Sequence, residues 1–197
     1  MLTLFSLQIQ AQKIRIDKQD GDARKIITDA KKVTSTSGAF MGTRSLSLAL
    51  GVYCAPNDTI YLLEITHTCT DDMKDHKPTI EVGRKIILAC DNDSVVILSN
   101  YNKIETYDYT FEVEKRHTQY TVAPLYEINK DNLLFLINNR VRNIRIEIDD
   151  SYYDFYGDKF SATLKKEYET IKKSFNYKTK NKRGILDGLD INKVRKN

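Results

Sequence analysis

Residues 44–54 read RSLSLALGVYC, a turn-forming APND follows at 55–58, and residues 59–69 read TIYLLEITHTC. Leu46, Leu48, Leu50, Val52 and Cys54 recur at every second position, with Ser45, Ser47, Ala49 and Gly51 between them. Period-two alternation is the signature of a strand with one covered face. Ala55-Pro-Asn-Asp58 carries turn chemistry. If the reversal centres between Pro56 and Asn57, Leu50 falls opposite Leu63, Leu48 opposite Ile65, and Leu46 opposite His67. The apolar faces of the two strands then coincide, so this register is the one that buries both.

The same alternation extends outward in both directions. Lys13–Asp17 alternates and ends in an Asp20-Gly-Asp22 turn. Arg24–Ser35 reads as a second strand with Ile27 and Val33 as apolar contacts, and Thr34–Gly42 as a loop rich in Ser, Thr and Gly. Ile80–Cys90 and Val95–Ser99 form a hairpin about Asp91–Ser94, with Ile86, Leu88 and Cys90 on one face. Lys103–Glu114 and Thr118–Tyr126 form a third, with Lys115-Arg-His117 as its turn. Asn129 is placed to cap a two-turn helix through Ile137. Val141–Asp149 is a strand, and Tyr152–Tyr156 is expected to extend it past a bend. After Asp158 as a cap, Phe160, Leu164, Tyr168, Ile171 and Phe175 form one helical stripe opposite Lys165, Lys166, Glu169, Lys172 and Lys173. Such a helix needs an apolar surface beneath it. The expected fold is mainly β (α+β): an antiparallel β-sandwich or partly open barrel, with a short helix and one C-terminal amphipathic helix, 158–175, packed on the sheet.

Composition bounds the function classes. Of 197 residues, 41% are hydrophobic and 29% charged, enough for a core. Residues 176–197 hold seven basic and two acidic side chains, a charge of +5, which leaves −1 for the rest of a chain whose net charge is +4. The basic character belongs to the tail at 177–197, so the near-neutral body argues against a nucleic-acid partner. No apolar run approaches the roughly 20 residues of a membrane-spanning helix. Residues 1–12, MLTLFSLQIQAQ, resemble the back half of a secretory signal peptide whose charged start is missing. The domain expected after it spans 13–176, and the expected location is the periplasm or the cell surface and extracellular space. A Lys-rich in-frame extension upstream of Met1 is expected on this reading.

No residue pattern supports catalysis or a cofactor. His67, Cys69, His76 and Cys90 are the only clustered metal-capable residues, and no second close-spaced ligand pair accompanies His67-x-Cys69, so no metal is assigned. The cysteines number three and fall on apolar strand faces, which reads as buried small hydrophobes. If the chain is exported, a Cys54–Cys69 or Cys69–Cys90 disulfide is an alternative. Asp17–Asp22 lacks the acid spacing of a calcium loop, and there is no Gly-x-Ser-x-Gly elbow. The candidate binding surface consists of tyrosines, Tyr107, Tyr109, Tyr120, Tyr152 and Tyr153, since aromatic side chains on a strand face form contact platforms.

Tyr126, Ile128, Asp131 and Leu133 form a Tyr-x-Ile-x-x-Asp-x-Leu segment, and Arg145–Ile148 an Arg-Ile-x-Ile core. With the Ala-Gln signal end and the early Lys-Ile strand, this order resembles small exported β-proteins of Gram-negative bacteria. The resemblance spans Lys13 to about Asn176. It implies an envelope setting and no activity. The functional expectation is an exported, non-catalytic binding or interaction module, with a protein or small molecule as its partner. A carrier of a small apolar ligand between sheet and helix is the alternative, and an enzyme of unrecognised type comes third.

Overall fold

In the computed structural model, β4 (Gly42–Ala55) and β5 (Asp58–Asp71) form the long central hairpin. The structure describes residues 13–38, 42–56, 58–71, 77–101, 103–105, 108–112 and 117–181. Leu50 pairs with Leu63, Leu48 with Ile65 and Leu46 with His67, the register that coincident apolar faces require. Leu46, Leu48, Leu50, Leu63 and Ile65 are wholly buried.

Around this hairpin, β1 (Ile14–Asp20), β2 (Ala23–Thr28), β3 (Lys31–Gly38), β8 (Asp108–Glu112), β9 (His117–Val122) and β10 (Leu125–Ile128) complete an antiparallel sheet ordered β1-β2-β4-β5-β9-β8. β3 pairs with β4 in line with β2, and β10 with β5 in line with β9. The single strand expected over Arg24–Ser35 is therefore two, broken at Asp29-Ala30. The Thr28 hydroxyl spans part of the gap, accepting from Leu50 N at 3.0 Å and donating to Leu50 O at 3.2 Å. The expected loop over Thr34–Gly42 is instead hairpin, paired as far as Gly38 with Gly42. Ser and Thr suit an outward strand face as well as a loop, so composition alone mistakes one for the other. Between β9 and β10, Pro124 has no N–H to give the ladder. Its carbonyl still accepts from Ile65 N at 3.1 Å, and the register continues across it.

The second sheet has the order β12-β11-β6-β7, built from β6 (Lys85–Cys90), β7 (Val95–Ser99), β11 (Val141–Ile148) and β12 (Ser151–Tyr156). Here β12 does not extend β11. It turns back at Asp149-Asp150 and pairs Ile148 with Ser151. Asp149 adopts φ 50°, a conformation Asp tolerates better than most residues, and its carboxylate takes the Thr79 N–H and hydroxyl. The two sheets approach at both margins, through an isolated Asn100–Tyr126 bridge and where β12 nears β3, without closing into a barrel.

Helix α1 (Lys130–Asn138) starts as expected, with the Asn129 side chain accepting from Asn132 N at 2.8 Å. Helix α2 runs Phe160–Asn181, six residues past the expected end. Asp158 takes a hydrogen bond from Arg140 instead of capping α2. Phe160, Leu164, Tyr168, Ile171 and Phe175 are all buried. Helix α2 packs on β2, β3 and β4, with Tyr168 against Tyr61. Near its far end Arg24 binds Asp17 twice at 3.0 Å, reaches Ser174 at 3.1 Å and lies over Phe175 at 4.8 Å. The inner face of the central hairpin near Tyr61 is thus covered by α2, while the part around His67 lies under β12, where Tyr153 and Phe155 meet it.

No disulfide links Cys54, Cys69 and Cys90. Cys54 pairs with Thr59 and Cys69 with Arg44. They sit at opposite ends of the hairpin, about 30 Å apart at 3.3 Å per residue, far beyond disulfide reach.

Gly157 is needed for close approach: a Cβ there would lie 2.7 Å from the Val141 carbonyl oxygen. Gly157→Ala is expected to destabilise the fold by about 1–3 kcal/mol through overpacking against backbone, read as a lower denaturation midpoint in urea.

Candidate functional site

The apolar pattern of β6 and β7 is two-sided. Residues 85–90 read KIILAC and 95–99 read VVILS. Ile86, Leu88, Cys90, Val96 and Leu98 point into the core and are buried. Ile87, Ala89, Val95 and Ile97 occupy the opposite parity, where a solvent-facing strand ordinarily carries polar residues. Val95 is 52% exposed and Ile97 55%. Across the sheet, β12 sends Phe155 inward and Tyr152, Asp154 and Tyr156 outward. Tyr152 and Tyr156 are 61% and 71% exposed.

Register aligns these side chains in three rows. Tyr156, Asn143, Ala89 and Val95 form the first, and Asp154, Arg145, Ile87 and Ile97 the second. The third runs Tyr152, Glu147, Lys85, Ser99, with the Glu147 carboxylate accepting from Lys85 N at 2.9 Å. Arg145 grips Asp154 with two 2.7 Å hydrogen bonds and lies 4.3 Å from the Tyr152 ring centroid. The guanidinium holds the Asp154 carboxyl below the usual carboxylate range. The centre of the face is an open groove of about 500 Å³ lined by Ile87, Ala89, Asn143, Arg145, Asp154, Phe155 and Tyr156. Its two acids and two bases balance, so the face has an aromatic margin, a neutral centre and an aliphatic margin.

Of the tyrosines singled out from the sequence, Tyr152 lies on this face. Tyr153 points the other way, half-buried and stacked on His67 at 5.5 Å. Tyr120 is buried. Tyr109 pairs with Tyr120 in β8, its side chain outside the described set, and Tyr107 lies outside the described residues. The structure therefore does not bring Tyr120, Tyr152 and Tyr153 onto one face. Tyr156, Ile97 and Val95 belong to the face and escaped sequence reading. Their signal was present: runs apolar at both parities mark strands meant to be covered on both sides.

Between the sheets, His67 is 2% exposed, and neither ring nitrogen has a hydrogen-bond partner among the described residues. It contacts the rings of Tyr153 and Phe155, and Arg44 lies over the Tyr153 ring at 4.4 Å. Burial, then the Arg44 charge, lower its pKa to about 4. Glu167 of α2 is also wholly buried, and burial raises its carboxyl to about 7, against the lowering effects of a Thr28 hydrogen bond and Lys31. Among the described residues, no group of three or more His, Cys, Asp or Glu is placed to hold a metal ion. Nor is any helix long and apolar enough to cross a membrane. No family model matches the chain, and neither the curated proteins nor the solved structures yield a match.

The two buried groups oppose each other in pH. His67 titrates lower folded than unfolded, so its effect on stability is absent above pH 6.5 and grows adverse as pH falls toward 4, about 3 kcal/mol over the window. Glu167 titrates higher folded than unfolded, so its favourable contribution holds below pH 4.5 and is lost as pH rises through 7. In urea titrations, His67→Phe should gain on the wild type more at pH 5 than at pH 7.5. Glu167→Gln should gain more at pH 8 than at pH 5.

Proposed function

We propose that this chain is an exported, non-catalytic interaction module that docks a protein partner on the outer face of its second sheet. The observation that carries the reading is the exposure of Val95, Ile97, Tyr152 and Tyr156 together on one face, with the open groove at its centre. Exposed aromatic and aliphatic side chains gathered on one sheet face mark a candidate contact surface. Tyrosine, aliphatic anchors and a half-exposed Arg suit a protein contact. A carrier needs room between sheet and helix, and there Phe160, Leu164, Tyr168, Ile171 and Phe175 already fill the α2 interface. That reading therefore weighs less. Export is supported by residues 1–12, which lie outside the described residues.

Immobilised full-length chain is expected to retain specific proteins from an extract of its native cells, further copies of itself counted among them. A Tyr53→Ser variant, altered at an exposed site on the first sheet, should retain them equally. Ile97→Asp/Tyr156→Ser should lose them at least about fivefold, which is roughly 1 kcal/mol of binding free energy. Equal retention by all three, or none above bare matrix, overturns the docking face. Cell fractionation tests export, with the chain expected in the envelope or medium.

A further inference from the structure

We propose that the occupant of this face is a second copy of the chain, held in a two-fold dimer whose axis runs parallel to the strands. The proposal rests on the docking-face reading above and commits it to one partner.

A two-fold contact must be self-complementary, because each patch meets its own image. This face is asymmetric across its width in the way such a contact needs. Its tyrosines project from the β12 margin, while Val95 and Ile97 project from the β7 margin. A two-fold axis parallel to the strands lays the β12 margin of one copy over the β7 margin of the other. Tyr156 then covers the partner's Val95, and Tyr152 lies over the partner's Ser99 beside Ile97.

Charge selects between the two in-plane axes. An axis perpendicular to the strands reverses the rows while keeping each strand over itself. The middle row then lies on its own image, Arg145 on Arg145 and Asp154 on Asp154, which repels at close range. The parallel axis removes both clashes. It sets Glu147 over the partner's Lys85 twice, and it leaves each Arg145–Asp154 pair intact over the apolar side chain of Ile87 or Ile97.

Size sets the expected strength. Four strands about 4.8 Å apart, with three outward rows about 7 Å apart, give a footprint of roughly 400 Å². That falls below the roughly 800 Å² per partner of a standard interface, so the dimer should be weak and concentration-dependent. Dissociation constants of about 10–100 μM are expected. The sheets would stack about 10 Å apart, as in the interior of a sandwich.

Sedimentation velocity of the full chain from about 5 to 500 μM tests this, a range that brackets the expected constant. The wild type should pass from monomer to dimer. Ile97→Asp, which faces the partner's Asp154, should raise the dissociation constant about tenfold or more. Lys85→Glu and Glu147→Lys should each weaken the dimer, and combining them should restore it. Circular dichroism and thermal melts verify that every variant is folded. A wild type that stays monomeric throughout, or a dimer indifferent to Ile97→Asp, overturns the second-copy proposal. Retention of a different protein that still depends on Ile97 and Tyr156 would then leave the docking face standing, so the two readings fail separately.

Discussion

The register of the β4–β5 hairpin is the constraint from which the rest of the structure follows. Twelve residues on each side pair so that Leu46, Leu48, Leu50 and Val52 share a face with Tyr61, Leu63, Ile65 and His67. A slip of one residue would turn either set into solvent. With the register held, one long apolar surface needs covering, and it exceeds what one helix spans in width. Helix α2 covers the part around Tyr61, and β12 of the second sheet covers the part around His67. The fold is the pair of covers this hairpin demands.

The second sheet answers that demand on its inner face and leaves a demand on its outer one. Ile86, Leu88, Val96 and Leu98 are satisfied by the core. Ile87, Ala89, Val95 and Ile97 have the composition of a second interior without a second layer among the described residues. The Arg145–Asp154 pair prevents this face from being a plain hydrophobic patch. It fixes a neutral, ordered centre, and exposed pairs of this kind contribute little to stability. Its effect is on which surfaces fit the face.

The buried ionisable groups show how marginal such cores are. His67 stays neutral against two aromatic rings, and Glu167 is pushed toward its neutral form under α2. Each is tolerated because packing around it outweighs the cost of losing water. Their opposed titrations partly cancel between pH 4.5 and 6.5.

Period-two alternation by itself determined the central hairpin, its register and the Lys85–Ser99 part of the second hairpin, because burial of one face leaves a single pairing that works. The α2 stripe and the Asn129 cap were legible for the same local reason, side-chain periodicity and an orphan N–H. Only the tertiary structure decided that Thr34–Gly38 is strand, that β12 folds back on β11, and that Tyr120, Tyr152 and Tyr153 part company. Those outcomes depend on which strand lies alongside, a long-range choice that Ser, Thr and Tyr do not encode. The outer face lies between the two cases. Its apolar residues were visible in KIILAC and VVIL, but which parity the core would take, and which would meet solvent, was settled when β6 and β11 paired.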